Sequence, residues 1–402
     1  MILHLPDQVF RHCRESGQIS ISAMSTTTKS LTATCLCGAA AHNITLPSSS
    51  FPLQMSVCHC DSCRHMTGTL CQGAAFLPTA YQPAASLLER LRSFHFSNTI
   101  TQHFCPQCGS HMLAQCQKDD QSSSGEVTWA VATGTLESIE GVVEVASHIF
   151  VADTLDGGFA DFLRDVNGQG IERWPQHSGK NGQLPLHWRG PERSKPDHAE
   201  HPNLLHAHCK CEGVSFYISR PSAASAEITA EWPDVIIPEH DTREKPPPAA
   251  WWLRGNGSKY FAGLCTCNSC RLAAGMEWVQ WAFIPTANIS LDPEGRNPFP
   301  SETPFSSGTL KHYRSSEKAT RYFCGTCGAS VFWSGDERPG LIDVAVGLLD
   351  AAEGARAENW LEWRTERVSY REDAEPRAES LIQGLEKGLK AYGTESEANT
   401  GA

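Results

Sequence analysis

The sequence lacks an excess of basic residues, a long apolar run and a basic-then-apolar leader, and each absence removes a class of function. Lys and Arg number 33 against 45 Asp and Glu in 402 residues, for a formal charge of −12. Affinity for nucleic acid rests on neutralising phosphates, so a basic nucleic-acid platform is not expected, nor an acidic microtubule surface as partner. No segment approaches the roughly 18 uninterrupted apolar residues of a membrane span. Residues 1–23 contain Asp7 and Glu15 and do not resemble a secretory signal. The expectation is a soluble protein of a reducing compartment, cytoplasmic with the nucleus not distinguished.

What the chain has in abundance is cysteine, 17 residues, and their spacing repeats. The first copy reads Cys35-x-Cys37-Gly38, Cys58-His-Cys60-Asp-Ser-Cys63-Arg64 and Cys105-x-x-Cys108-Gly109. The second reads Cys209-x-Cys211, Cys265-Thr-Cys267-Asn-Ser-Cys270-Arg271 and Cys324-x-x-Cys327-Gly328. Flanking residues repeat as well: Gly68 and Gly275, Ala75-Phe76-Leu77-Pro78 and Ala282-Phe283-Ile284-Pro285, Val131 to Glu137 and Val344 to Asp350. Such self-similarity marks a duplication. It suggests an N-terminal extension (1–31), a first zinc domain (32–175), a linker (176–204), a second zinc domain (205–374) and a C-terminal tail (375–402). Met24 is an alternative start.

The second copy is longer. Its gap between CxC and CxCxxC spans 212–264 where the first spans 38–57, and its next gap spans 271–323 against 64–104. The extra length falls around Pro221 to Arg254, including Pro246-Pro247-Pro248, and around Ala287 to Gly308. The first is rich in Pro, Ala and acidic residues and the second in Pro, Ser and Asn, and both insertions read as surface loops.

Runs at Val127–Ala132, Val142–Val151, Val214–Ile218 and Leu341–Val346 are rich in β-branched and aromatic residues and predict strands. Helical periodicity is confined to Ala85–Leu91, Phe159–Val166 and the C-terminal segment, where Leu381, Leu385 and Leu389 form a stripe expected to pack locally. The fold class is therefore mainly β, two zinc-clipped domains in tandem.

Seven thiols per copy divide as four plus three. Structural zinc takes four protein ligands in a tetrahedron, whereas catalytic zinc takes three and keeps an open position. Cys35, Cys37, Cys105 and Cys108 can close one metal, with Cys209, Cys211, Cys324 and Cys327 as the second-copy set. Cys58, Cys60 and Cys63, and likewise Cys265, Cys267 and Cys270, can bind a second metal with a vacancy suited to a thiol. Spacing alone leaves a zinc-ribbon pairing of Cys60 and Cys63 with Cys105 and Cys108 open, and iron–sulfur or disulfide chemistry beside zinc.

The combination CxCG, CHCxxCR and an aromatic residue before CxxCG, carried by Phe104 and Phe323, resembles the glutathione-dependent formaldehyde-activating enzyme family, also called CENP-V/GFA. The resemblance spans about Thr32 to Asp156 and Leu205 to Ala374. It implies coiled antiparallel β-sheets with two zinc ions per domain, four in all, the closed zinc on the CxC and CxxC cysteines and the substrate-facing zinc on each trio. The implied reaction joins formaldehyde and glutathione, as co-substrate, to S-(hydroxymethyl)glutathione, a carbon–sulfur lyase step in reverse. Catalytic roles then fall to Cys58, Cys60, Cys63, Cys265, Cys267 and Cys270. A non-catalytic zinc-scaffolded binding module is the rival.

Other residues have competing readings. His148, in Ser147-His148-Ile149-Phe150, either orients substrate or is a bonded structural histidine; if it matters to catalysis, the first copy is the active one. Arg64 and Arg271 either offset thiolate charge and contact a glutathione carboxylate or form ordinary ion pairs. Cys13, Cys71 and Cys116 read as incidental thiols, and His198, His201, His206 and His208 as polar filler of the linker. Trp251, Trp252, Trp278 and Trp281 read as packing residues.

Overall fold

The computed structural model describes residues 27–117, 127–191, 203–238, 249–300, 302 and 304–400. Cys13, Met24, His198, His201 and Pro246-Pro247-Pro248 lie outside the described residues.

In the first half, β1 (Thr28–Ala33) and β2 (His42–Pro47) form a ribbon. There follow β3 (Leu53–Cys58), α1 (Asp61–Thr67), β4 (Gln72–Phe76), α2 (Ala85–Leu88), β5 (Arg92–His95) and β6 (Ile100–Phe104). Next come β7 (His111–Gln117), β8 (Val127–Ala132), β9 (Val143–Ile149), β10 (Asp165–Val166), β11 (Gln169–Gly170) and β12 (Glu172–Arg173). The large sheet has the order β12-β9-β3-β4-β8-β7-β6-β5.

The second half repeats this plan. It has β13 (Leu204–His208), β14 (Ser215–Ser219), β15 (Leu253–Arg254), β16 (Lys259–Cys265), α3 (Asn268–Ala274) and β17 (Val279–Pro285). Then follow β18 (Ile289–Ser290), β19 (Leu310–Arg314), β20 (Ala319–Cys324), β21 (Ser330–Gly335), β22 (Leu341–Ala345), β23 (Leu361–Trp363) and α4 (Glu379–Thr400). Its large sheet runs β15-β16-β17-β22-β21-β20-β19, with β23 also on β16.

The protein is mainly β, as the strand-rich runs imply, and three features differ from expectation. The sheets are mixed, because β9 pairs parallel with β3 and β12, and β23 parallel with β16. Strands β9 and β23 re-enter beside β3 and β16, which lead to the cysteine trios, instead of extending the hairpin series. Phe159–Val166 is not an α-helix: a short 3-10 turn at Gly158–Asp161 gives way to β10, since Gly157 and Gly158 take positive φ and Asn167-Gly168 turn the chain into β11. The insertions are not plain surface loops. Val235, Ile236, Ile237, Trp251 and Trp252 of the first are buried, and Phe299 of the second packs edge-on against Phe332. Trp278 and Trp281 are buried too, as packing residues.

The two halves meet by reciprocal exchange. The turn after β8 (Thr133–Thr135) packs on α3, and the turn after β22 (Val346–Leu348) packs on α1. Gly134 N–H donates to the Gly275 carbonyl (3.1 Å) and Gly347 N–H to the Gly68 carbonyl (2.9 Å). Arg64 Nη1 reaches the carbonyls of Gly347 (3.4 Å) and Leu349 (3.5 Å), and Arg271 Nη1 those of Gly134 (2.6 Å) and Leu136 (3.2 Å). The backbones are so close that a Cβ on Gly134 would lie 2.3 Å from Met276 N, and one on Gly347 2.3 Å from the Thr69 carbonyl oxygen. This is why the glycines recur in both copies.

The C-terminal stripe belongs to this joint. Leu381, Leu385 and Leu389 of α4 are buried, and Gly384 and Gly388 sit against the first-half carbonyls of Asp165 and Phe162. Fully buried Arg356 donates to Gly158 O, Asp161 and Glu358, so its charge is compensated on both sides of the joint.

Gly347→Ala is expected to destabilise the protein by about 3 kcal/mol, because the added methyl group meets backbone that cannot yield. Gly170→Ala, where a Cβ meets nothing within 4 Å, should stay within about 0.5 kcal/mol. Urea-unfolding midpoints at unchanged m-value test both.

Candidate metal centres

The closed clusters form by joining distant segments. Cys35 and Cys37 follow β1, Cys105 and Cys108 follow β6, and the four sulfurs lie within 4.8 Å of one another; Cys209, Cys211, Cys324 and Cys327 do the same. Sγ–Sγ distances are 3.5 Å for Cys35–Cys37, 3.6 Å for Cys37–Cys105, 3.6 Å for Cys209–Cys211 and 3.5 Å for Cys211–Cys324. A disulfide would need about 2.05 Å. A tetrahedron of sulfurs about 2.3 Å from zinc has edges of about 3.8 Å, so these donor sets fit that ion. Backbone N–H groups of Ala40 and Val214 donate to Cys35 and Cys209 Sγ. The zinc-ribbon pairing of Cys60 and Cys63 with Cys105 and Cys108 is not formed.

The trios sit at strand-to-helix corners. Cys58 ends β3, Cys60 caps α1 and accepts from the Cys63 N–H (3.4 Å), and Cys63 lies in the first turn. Cys265, Cys267 and Cys270 repeat this at β16 and α3, with Cys270 N–H donating to Cys267 Sγ (3.3 Å). Each trio is gathered within 4.8 Å. The packed sulfurs share negative charge unequally. Hydrogen bonds from Cys58 and Cys63 push Cys60 well below the usual thiol range, while Cys58, bonded to Cys60, is pushed up. In the second trio Cys270 is pushed down by hydrogen bonds from Cys265 and Cys267, aided by Arg321. Three sulfurs this close carry full charge together only around a cation.

The arginines after the trios do not face a ligand. Arg64 and Arg271 are buried, paired with Asp61 (2.9 Å) and Asn268 (2.8 Å) and bonded across the joint, so they brace helices instead of meeting glutathione. His148 is sealed as well. Its Nε2 donates to the Leu163 carbonyl (2.8 Å), which leaves Nδ1 to accept from His59 Nε2 (2.9 Å), and burial holds its pKa down to about 3. Val368 occupies the matching place, because His59 N bonds Ile149 O where Thr266 N bonds Ser369 O. The reason to favour the first half as the working one therefore falls away.

Cys71 and Cys116 are buried thiols outside the clusters, both pushed up by desolvation. His206 and His208 are not linker filler: they lie on β13, and with Asp350 they form a further group able to hold a metal.

Sequence reading missed two residues. Asp373 accepts from the Asn268 N–H (2.8 Å) at the start of α3, and Asp153 bonds the Asp61 backbone at the start of α1. Burial, with Cys60 and Asp61 adding, raises Asp153 to about 7. Each lies three residues after an aromatic at positive φ, Phe150 or Tyr370. That shared offset was the available signal, obscured because the flanking residues differ.

Around the trios the halves diverge. In register across the second sheet run Arg321, Trp333, Asp343 and Phe283; the matching first-half row is Gln102, Ala114, Ala130 and Phe76. Arg338 forks onto Asp343 (2.9 and 3.3 Å) and lies over the Trp333 ring. Both Nη atoms of Arg321 are 3.5 Å from Cys270 Sγ. A cavity of about 1010 Å³ opens here, lined by Cys265, Cys267, Cys270, Arg321, Asp343 and Asp373, with Glu231 to Val235 of the insertion as one wall.

His148→Ala is expected to cost about 3 kcal/mol by leaving a cavity and stranding His59, with the reactivity of Cys58, Cys60 and Cys63 toward thiol reagents unchanged. Altered reactivity at undiminished stability would return His148 to the site.

Residues 30–153 and 253–365, more than half of the chain, match the family model described as glutathione-dependent formaldehyde-activating enzyme. No curated protein and no solved structure matches the chain. Among the described residues no helix is long and apolar enough to cross a membrane.

Proposed function

We propose, from the premise that the chain belongs to the glutathione-dependent formaldehyde-activating enzyme family, that it is a zinc-dependent carbon–sulfur lyase acting on a thiol–aldehyde adduct such as S-(hydroxymethyl)glutathione. The observation that carries this reading is a three-thiol cluster opening on a cavity, separate from a four-thiol cluster whose ligands complete a tetrahedron by themselves. Four zinc ions per chain fit the donor sets. Cys265, Cys267 and Cys270 would hold such an ion, which when bound would lower the pKa of an incoming thiol.

The protein's own groups supply the rest. Cys265, Cys267 and Cys270 hold the open centre at the floor of the cavity, and Arg321 offsets part of their charge. Asp373, held by the Asn268 N–H and lining the same cavity, is the carboxylate to which we assign taking the thiol proton and returning it to the aldehyde oxygen as the carbon–sulfur bond forms. Cavity walls from Trp281, Trp333 and the insertion orient the two partners. Because a thiol and an aldehyde combine without a catalyst, orientation and proton handling account for the acceleration required.

Metal analysis of purified protein should give four zinc ions per chain, and Cys265→Ser should lose one with the fold retained. Exchange spectroscopy on glutathione with formaldehyde should show adduct formation above the uncatalysed rate, reduced roughly a hundredfold in Asp373→Asn. No excess at high protein concentration would reject the lyase reading and leave the zinc-scaffolded binding module.

A further inference from the structure

We infer that the two trios are not equivalent: the second is the one equipped to hold a thiol as thiolate, and Arg321 is the positioning residue that supplies its counter-charge. This rests on the thiol-using reading above. A divalent ion on three thiolates carries net charge −1, and an arriving thiolate makes it −2 in a buried cleft, which is costly without a counter-charge.

In the second half the counter-charge is present. Arg321 is buried in β20, both its Nη atoms face Cys270 Sγ at 3.5 Å, and its buried Nε has no hydrogen-bond partner. The register partner of its neighbour Trp333 is Asp343, but that carboxylate is taken by Arg338, so the Arg321 charge remains for the sulfurs. The first half has Gln102 at the Arg321 position and Asp61 where the second has Asn268. Both differences make the second centre more positive. Arg64 and Arg271 occur once in each half and do not distinguish them.

Space follows charge. The cavity of about 1010 Å³ reaches the second trio and has the size of a site for a small-peptide thiol. The matching first-half row, Gln102, Ala114 and Ala130, offers neither the cation nor the aromatic wall that Arg321 and Trp333 give this cavity. The ligand class is thus a soluble thiol bound as thiolate, its proton released to the Asp373 carboxylate or to solvent.

Calorimetric titration of the zinc-loaded full chain with glutathione tests this, with zinc content measured for every variant. Wild type should bind one thiol per chain, Arg321→Gln about tenfold more weakly, and Arg321→Lys within about threefold of wild type, all at unchanged zinc content. Lysine rescue separates the charge from a packing role, and is informative should the glutamine variant fail to fold. Two equal sites in wild type, unchanged affinity in Arg321→Gln, or failure of lysine to rescue would overturn the inference while leaving the lyase reading intact. Absence of any thiol binding to wild type would overturn both.

Discussion

The constraint on which the rest of the structure depends is the mutual closure of the two halves over each other's cysteine helix. Each turn that leaves a sheet, Thr133–Thr135 or Val346–Leu348, seats its glycine against the glycine that ends the opposite helix. A guanidinium from that helix then satisfies the turn's carbonyls. Neither helix exceeds seven residues, and a helix so short has little stability of its own. Its position is fixed at both ends: by the trio at the N-terminus and by the partner half at the C-terminus. The trios are therefore held by tertiary contacts as well as by any metal they take up.

The four-thiol clusters solve a different problem. In each half they bind the ribbon at the start of the fold to the β6–β7 or β20–β21 turn, segments about 70 to 115 residues apart in sequence. Closing loops of that length carries a large entropic penalty, and a metal that bridges them ties sheet edges that otherwise share few hydrogen bonds. Backbone N–H groups aimed at Cys35, Cys209 and Cys324 stabilise sulfur charge without adding a ligand. The division of labour between the clusters is thus geometric: one claw pair closes a tetrahedron, and the corner trio leaves a fourth position open.

Spacing resolved the cysteines into CxC, CxCxxC and CxxC, local patterns whose geometry survives changes around them, but left open which of them share a metal until the fold joined CxC with CxxC. Strand content was legible for the same reason, in β-branched runs such as Val127–Ala132. What escaped the sequence depends on pairing between distant residues. Arg64 and Arg271 look like ligand-binding groups in isolation, and only the partner half's carbonyls show otherwise. His148 resembles a catalytic histidine until Leu163 and His59 take both its nitrogens. The insertion around Pro221 to Arg254 has loop composition, yet Asp234 bonds the Tyr370 N–H (2.8 Å) and Ser369 Oγ (3.1 Å), docking the segment as a wall of the cavity. Asp153 and Asp373 were hidden because their meaning lies in an offset from an aromatic at positive φ, a conformation that no composition signal marks.

Duplication explains why both halves keep seven cysteines while their surroundings drift apart. In each half the clusters organise the corner from which the joint is built, so losing cysteines in either would undermine both. The sheet row beside each trio is under no such obligation. A change from a small apolar row to Arg321, Trp333 and Asp343, or the reverse, alters charge and volume at the centre without touching the Gly134, Gly275, Gly68 and Gly347 contacts. The longer insertions occur only in the half that carries the charged row, and one of them lines its cavity. Extra chain, charge and open volume converge on one trio, while the other retains its thiols with Gln102, Ala114 and Ala130 beside them; in that division the first half acts as the scaffold against which the second is held.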